Sequence, residues 1–234
     1  MKLLERDIIT DIVFRLAEAA DGMAALAATP SQLAARTGAP ATFLRDLKPG
    51  GDRPLLLDFR PDLVISVRFS LIFPRSVIAQ VPRGILNVHP GPLPAYRGLY
   101  APFWQMLNGE NSLGCTVHLV DPGLDTGDVL SIERIPHTPG RSMLWHALHL
   151  YFAGVDRIAA AINTASLGKP ILGAIQDHGL SFHYRYPTAA DFVRFRDAGH
   201  ELVTPEDYCE IVGAFAPTVA APHYLPAVAI ASLL

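Results

Sequence analysis

The stretch Gly84-Ile-Leu-Asn-Val-His-Pro-Gly-Pro-Leu-Pro-Ala-Tyr-Arg-Gly98 decides how this chain is read. Gly84 to Val88 is a short apolar strand that runs into a loop carrying Pro90, Gly91, Pro92 and Pro94. Proline brings no amide donor, so a ladder cannot continue through such a loop. The strand therefore ends with Asn87 and His89 at its carboxyl end. The two are two positions apart and point to the same side of the strand. In an open α/β sheet, functional groups gather at the carboxyl ends of strands.

Reading outward from this stretch gives alternating elements. Pro61-Asp-Leu-Val-Ile-Ser-Val67 is a β-branched run suited to a strand covered on both faces. A helix is expected from about Tyr100 to Leu107, closed by Asn108 and Gly109. Strands follow at Cys115–Val120 and Val129–Ile135. A long helix covers Met143–Ala165, with Leu144, Ala147, Leu148, Tyr151, Val155 and Ile158 on one stripe. Upstream, Ile8, Ile9, Ile12, Val13, Leu16 and Ala20 recur at helical spacing, and Thr29-Pro30 opens a second helix that runs to Arg36. This order predicts an α/β fold with a mostly parallel, twisted sheet flanked by helices. The strand and Gly-rich turn that normally open a nucleotide-binding α/β fold are missing from the first 20 residues, and no G-x-G-x-x-G or G-x-x-x-x-G-K-[ST] occurs anywhere. After Lys169 the pattern changes. Residues 1–170 are read as the catalytic domain. Residues 171–234 are read as a short C-terminal extension, with an extended stretch at 179–186 that can form a hairpin, then short irregular structure and an apolar tail.

Composition narrows the function classes. Half of the 234 residues are hydrophobic, 18% are charged, and the net charge is -3. With no Lys/Arg run, the electrostatic footprint of a nucleic-acid binder is absent. Cys115 and Cys209 are neither a disulfide framework nor a metal set, and no metal is expected. The charged N-terminus shows no secretory leader, and Pro217, Pro222 and Pro226 interrupt the apolar tail from Ala214. The expectation is a cytoplasmic protein that spans no membrane.

The chemistry follows from residue types. An amide donor beside an imidazole suits a reaction in which a carbonyl oxygen gains negative charge, the Asn donating to it and the His moving a proton. Asp125, in the loop Asp121-Pro-Gly-Leu-Asp-Thr-Gly-Asp128, is a carboxylate that can orient or charge the imidazole. No Ser or Cys lies where it can act as a nucleophile. Asn87, His89 and Asp125 thus suggest acyl transfer or hydrolysis without a covalent intermediate. A plain alternative stands beside this: Asn and His at strand ends commonly serve as hydrogen-bonding residues, and Asp121-Pro-Gly123 has ordinary turn chemistry. His146 and His149 read as a packed helical face, His118 as a structural or supporting residue, Trp104 as packing behind the loop, and Arg194 and Arg196 as a solvated face.

Asn87-Val-His89, Pro92-Leu-Pro94, Tyr96-Arg-Gly98, Asn108-Gly109, Gly114-Cys-Thr-Val-His118 and Asp125-Thr-Gly127 resemble, in order and spacing, the folate-dependent formyltransferases. These include the glycinamide ribonucleotide, methionyl-tRNA and nucleotide-sugar enzymes. The likeness extends more weakly from residue 29 to 185. It implies a Rossmann-like formyltransferase fold, a catalytic triad of Asn87, His89 and Asp125, and 10-formyltetrahydrofolate as co-substrate. The folate would lie against Phe69, Ser70, Leu71, Ile72, Asp121 and Asp125.

The His-Pro-Gly-Pro-Leu-Pro loop and the Tyr-Arg-Gly turn look most like the nucleotide-sugar N-formyltransferases. That resemblance implies a dTDP-4-amino-4,6-dideoxyglucose or a similar dTDP-linked amino sugar as acceptor, and a homodimer. Tyr96, Arg97, Tyr184 and Arg185 would hold the substrate, the aromatics stacking on the base and Arg185 meeting the pyrophosphate. Two other acceptors suit the same triad: glycinamide ribonucleotide, and water in a formyltetrahydrofolate hydrolase. An inactive binding protein derived from the family is the reading outside enzymology.

Overall fold

A computed structural model describes residues 44–58, 60–69 and 71–215. The helices expected at 8–20 and 29–36, the missing opening strand, Ser70 and the tail beyond 215 lie outside the described residues. In chain order the elements are α1 (Arg53–Leu57), β1 (Val64–Val67), α2 (Arg75–Ile78), β2 (Ile85–His89), β3 (Arg97–Gly98), α3 (Ala101–Leu107), β4 (Ser112–Leu119), β5 (Val129–Pro136), α4 (Met143–Ser166), β6 (His183–Tyr184), α5 (Ala189–Asp197) and α6 (Pro205–Phe215).

The main sheet has the order β1-β2-β4-β5, with helices packed on it. The pair β1–β2 is parallel, as expected from the helix between them. The other two described pairings, β2–β4 and β4–β5, are antiparallel, so the sheet of the described residues is mixed. Alternation of strands and helices gives element order but not strand direction. β4 and β5 are joined by the helix-free loop 120–128, too short to return the chain for a parallel pairing.

Side chains of β2 divide cleanly. Leu86 and Val88 join the larger core with Cys115, Val117, Leu150, Tyr151 and Ile158 from β4 and α4. Ile85 joins a second core with Val64, Phe73 and Val77 on the other face. Gly154 lets α4 approach the sheet, since a Cβ there would lie 2.6 Å from Val88 Cγ1. The α4 N-terminus is capped by Ser142, whose hydroxyl accepts from the Trp145 amide.

The region after 187 differs from its expected irregularity. It folds into α5 and α6, each opened by a threonine. Thr188 and Asp191 form a reciprocal capping box, and Thr204 Oγ1 accepts from the Asp207 amide. Phe195 of α5 stacks on Phe103 of α3 at 4.4 Å, and Ile211 of α6 packs on Leu144 and Leu148. The extended stretch does not form a local hairpin. Its β6 pairs parallel with β3, Arg97 against His183 and Gly98 against Tyr184.

Candidate active site

Strand register brings the candidate residues together. On the β2–β4 pair Asn87 sits opposite His118, and His89 opposite Thr116. The loop 120–128 folds back over the face that carries them and delivers Asp125.

Asn87 Nδ2 lies 3.1 Å from His118 Nε2, and His118 Nδ1 lies 2.8 Å from the Leu119 carbonyl oxygen. The carbonyl can only accept, so Nδ1 carries hydrogen and Nε2 accepts from Asn87. That arrangement needs a neutral ring. Burial pushes the His118 pKa down, and the neighbouring His89 adds to this against the opposing pull of Asp125.

His89 is 5% exposed. Its Nε2 donates to the Tyr96 carbonyl oxygen at 2.6 Å, which leaves Nδ1 facing Asp125 Oδ2 at 3.6 Å. An imidazolium satisfies both neighbours at once. Asp125 Oδ2 also accepts the Gly98 amide at 2.9 Å, and Oδ1 lies 3.7 Å from His118 Nε2. The carboxylate therefore stands between two imidazoles. Its backbone is left-handed, with φ 53°, a conformation that costs a residue with a Cβ about 1–2 kcal/mol. Tyr100 and Arg68 share this conformation, with φ 58° and 50°.

The Pro-rich loop is held by buried polar groups. Thr116 Oγ1 donates to the Gly91 carbonyl at 2.7 Å and accepts the Leu93 amide at 3.0 Å. Gln105, fully buried, donates to the Pro90 carbonyl at 2.9 Å and accepts the Gly114 amide at 2.6 Å.

The expected folate contacts are only partly gathered. Asp121 turns inward on its own loop, accepting from the Gly123 amide and the Thr126 hydroxyl. Phe69 stacks on Phe73 at 4.9 Å, Leu71 packs on the second core, and Ile72 is 73% exposed.

The four expected substrate residues all make internal contacts. Tyr96 stacks on Tyr184 at 5.1 Å, and Trp104 stacks on Tyr184 at 5.1 Å. Burial, with Glu110 beside it, raises the Tyr96 pKa and keeps its phenol a donor. The Arg185 guanidinium pairs with Asp191 at 2.9 Å. Arg97 is buried, and its Nη2 donates to Gln176 and His178.

Sequence reasoning left His118 among supporting residues and did not find Gln176, whose Nε2 donates to the carbonyls of Asp125 and Gly127. The alternation Thr116-Val-His118 is a usable signal for His118, since it places both polar side chains on one face. Gln176 has no comparable signal. Among the described residues no group of three or more His, Cys, Asp or Glu can hold a metal ion, and no helix is long and apolar enough to cross a membrane.

A family profile described as formyl transferase matches residues 21–144. Methionyl-tRNA formyltransferase of Syntrophus aciditrophicus (strain SB) is 40% identical over 95 residues, 39% of this chain and 30% of that protein. GDP-perosamine N-formyltransferase of Brucella melitensis biotype 1 (strain ATCC 23456 / CCUG 17765 / NCTC 10094 / 16M) is 38% identical over 78 residues, 33% of this chain and 30% of that one. The match spans about a third of the length of such curated relatives. Among solved structures, the formyltransferase PseJ from Anoxybacillus kamchatkensis, in complex with UDP-4,6-dideoxy-4-formamido-L-AltNAc and tetrahydrofolate, shares the fold. Its TM-score is 0.53 at 21% identity, over 65% of this chain and 77% of that one.

Proposed function

The chain belongs to the formyl transferase family, and from that premise we propose that it moves a formyl group from 10-formyltetrahydrofolate to the amino group of a nucleotide-linked amino sugar. The observation that carries this reading is the convergence of Asn87, His89 and Asp125 on one face of the β2–β4 pair. The arrangement provides an amide donor, an imidazole and a carboxylate, with no nucleophile among them.

Each residue has a role that its contacts allow. The acceptor amine attacks the formyl carbon, and the carbonyl π pair moves onto oxygen. Asn87 has one amide hydrogen committed to His118, so the other is the one available to the oxyanion. The Tyr96 carbonyl locks Nε2 of His89, so Nδ1 is the nitrogen that handles the proton. Asp125 Oδ2 faces that nitrogen at 3.6 Å and orients the ring. The oxyanion pair then re-forms the carbonyl as the bond to the folate nitrogen breaks; that bond's electron pair leaves with the nitrogen, which takes the proton shed by the amine through Nδ1. Oxyanion donors of this kind contribute ~10²–10³ in rate each.

For the acceptor, support comes from two sources. One is the 38% identity to a GDP-perosamine N-formyltransferase; the other is a loop and turn of the form found in nucleotide-sugar enzymes. We favour a dTDP-linked 4-amino-4,6-dideoxyhexose. A second reading, transfer to methionyl-tRNA, draws on the 40% identity to a methionyl-tRNA formyltransferase. Purified protein is offered 10-formyltetrahydrofolate with dTDP-4-aminohexoses, GDP-perosamine, glycinamide ribonucleotide, methionyl-tRNA or water. Transfer to one aminosugar, lost in His89→Ala, is the expected result. Transfer to methionyl-tRNA alone overturns the sugar reading, and a full-rate His89→Ala enzyme overturns the triad.

A further inference from the structure

We propose that Gln176 and Arg97 form a clamp through which the segment after α4 positions Asp125 against His89. Gln176 is thus a positioning residue for the reaction proposed above, and the inference rests on that reading. Gln176 is 5% exposed and lies beyond residue 144, where the family match ends. Its Nε2 donates to the Asp125 carbonyl at 3.1 Å and to the Gly127 carbonyl at 2.6 Å. Both hydrogens of the amide are therefore spent on the backbone that flanks the catalytic carboxylate.

Arg97 decides which way the amide points. Its Nη2 donates to Gln176 Oε1 at 2.8 Å and to His178 Nδ1 at 3.0 Å. A guanidinium has donors only, so it holds the amide oxygen toward itself and the NH2 toward the two carbonyls. A flipped amide would set oxygen against oxygen at the Asp125 loop. Arg97 is 7% exposed, and among the described residues no carboxylate lies within 4.0 Å of it; its Nε has no hydrogen-bond partner there. Its contacts serve orientation rather than charge pairing.

The next residue completes the arrangement. The Gly98 amide donates to Asp125 Oδ2. One turn therefore reaches the carboxylate directly and, through Gln176, the carbonyls beside it. Asp125 sits in a left-handed backbone, which persists only when its surroundings over-determine it. Removing the clamp lets the loop relax and the carboxylate drift from His89 Nδ1. The groups facing His89 are Asp125, the Tyr96 carbonyl and the His118 ring, whose centroid is 6.4 Å away.

The test compares wild type with Gln176→Met, neutral and similar in size, and with Arg97→Lys, which keeps the charge but loses the fork. Formyl transfer by Gln176→Met falls ~10²-fold in kcat, the scale of a misplacement of about 1 Å, with KM for both substrates unchanged. Arg97→Lys moves in the same direction by less. In crystals of the substrate-free variants the separation of Asp125 Oδ2 and His89 Nδ1 grows beyond the 3.6 Å of the wild type, whether or not an acceptor has been found. This separates failure of the clamp from failure of the formyl-transfer reading. If Gln176→Met does not fold, Arg97→Lys carries the test alone. An unmoved Asp125 carboxylate in a folded variant, even alongside a loss of rate, makes Gln176 a brace of the fold and overturns the proposal.

Discussion

Asn87 and His118 meet across the β2–β4 pair with 3.1 Å between Nδ2 and Nε2, and the Leu119 carbonyl forces the imidazole to be the acceptor. The amide of Asn87 is thereby fixed in orientation, with one hydrogen committed and the other free for a ligand. Asn87→Ala is expected to lower kcat for formyl transfer by ~10²–10³. His118→Ala is expected to lower it by less. The double variant should fall well short of the product of the two, because residues in one network couple. Single-turnover rates of the three variants decide this, and fully multiplicative losses would separate His118 from Asn87.

Gly91 guards the geometry of His89. A Cβ at this position would lie 2.8 Å from His89 Nε2, 2.8 Å from the Tyr96 carbonyl oxygen and 2.8 Å from Ala101 Cβ. The methyl would push between the ring and the carbonyl that locks it. Gly91→Ala should therefore fold but lose ~10²-fold in kcat. Circular dichroism and steady-state kinetics together check it, and a wild-type kcat would show that the Tyr96 contact is dispensable.

Acid should destabilise this protein through its neutral histidines. Burial lowers the pKa of His118 and of His146, and His89 and His137 respectively add to the effect. His146 Nδ1 donates to the Ser142 carbonyl, and its Nε2 accepts the Thr138 amide, so protonation breaks the second bond. The unfolded chain takes up these protons near pH 6.5, before the folded one does. Stability is then full above about pH 6.5 and is lost as pH falls from there toward the lower folded values. Urea melts at about pH 7.5 and about pH 5.5 should show the drop. His146→Gln should make it shallower.

Asp207 holds the last described helix to the start of α4. Its carboxylate accepts the Ser142 amide at 2.6 Å and Arg141 Nη1 at 2.6 Å. Burial works against the charge, but hydrogen bonds from Ser142 and Arg141 outweigh it and hold the carboxyl below its usual range. Its contribution is present above about pH 4 and is lost as pH falls further. Asp207→Ala leaves a buried amide unpartnered and should cost ~1–3 kcal/mol. Denaturant titration at neutral pH measures the loss, and an unchanged midpoint would show that water replaces the carboxylate.

Elements whose pattern is local were legible. The strand into the Pro-rich loop, α3 and α4 follow from spacing and composition, as does the placing of Asn87 and His89 on one side of a strand end. What depends on register between distant segments was not. Nothing near Arg97 says that it faces Gln176, or that Tyr184 is stacked against Tyr96 and Trp104. An Arg beside an aromatic reads the same whether it meets a ligand or another part of the chain. The antiparallel direction of β4 was not legible for a related reason, since alternation of elements does not carry it. The two C-terminal helices were missed because they are short, although Thr188-x-x-Asp191 and Thr204-Pro205 are helix openings in plain view.

The parallel pair β3–β6 also sets a timetable. Its bonds run from the Arg97 amide to the Phe182 carbonyl and from the Leu99 amide to the Tyr184 carbonyl. Chains fold from the N-terminal end as they leave the ribosome. The sheet from β1 to β5 can be complete while residues 176–184 are still in the exit tunnel. At that stage the nascent chain has Asn87, His89 and Asp125 but not the strand that ties down the Tyr-Arg-Gly turn. The site is then incomplete until residues 176–184 emerge, and a stalled chain ending within α4 is expected to be silent.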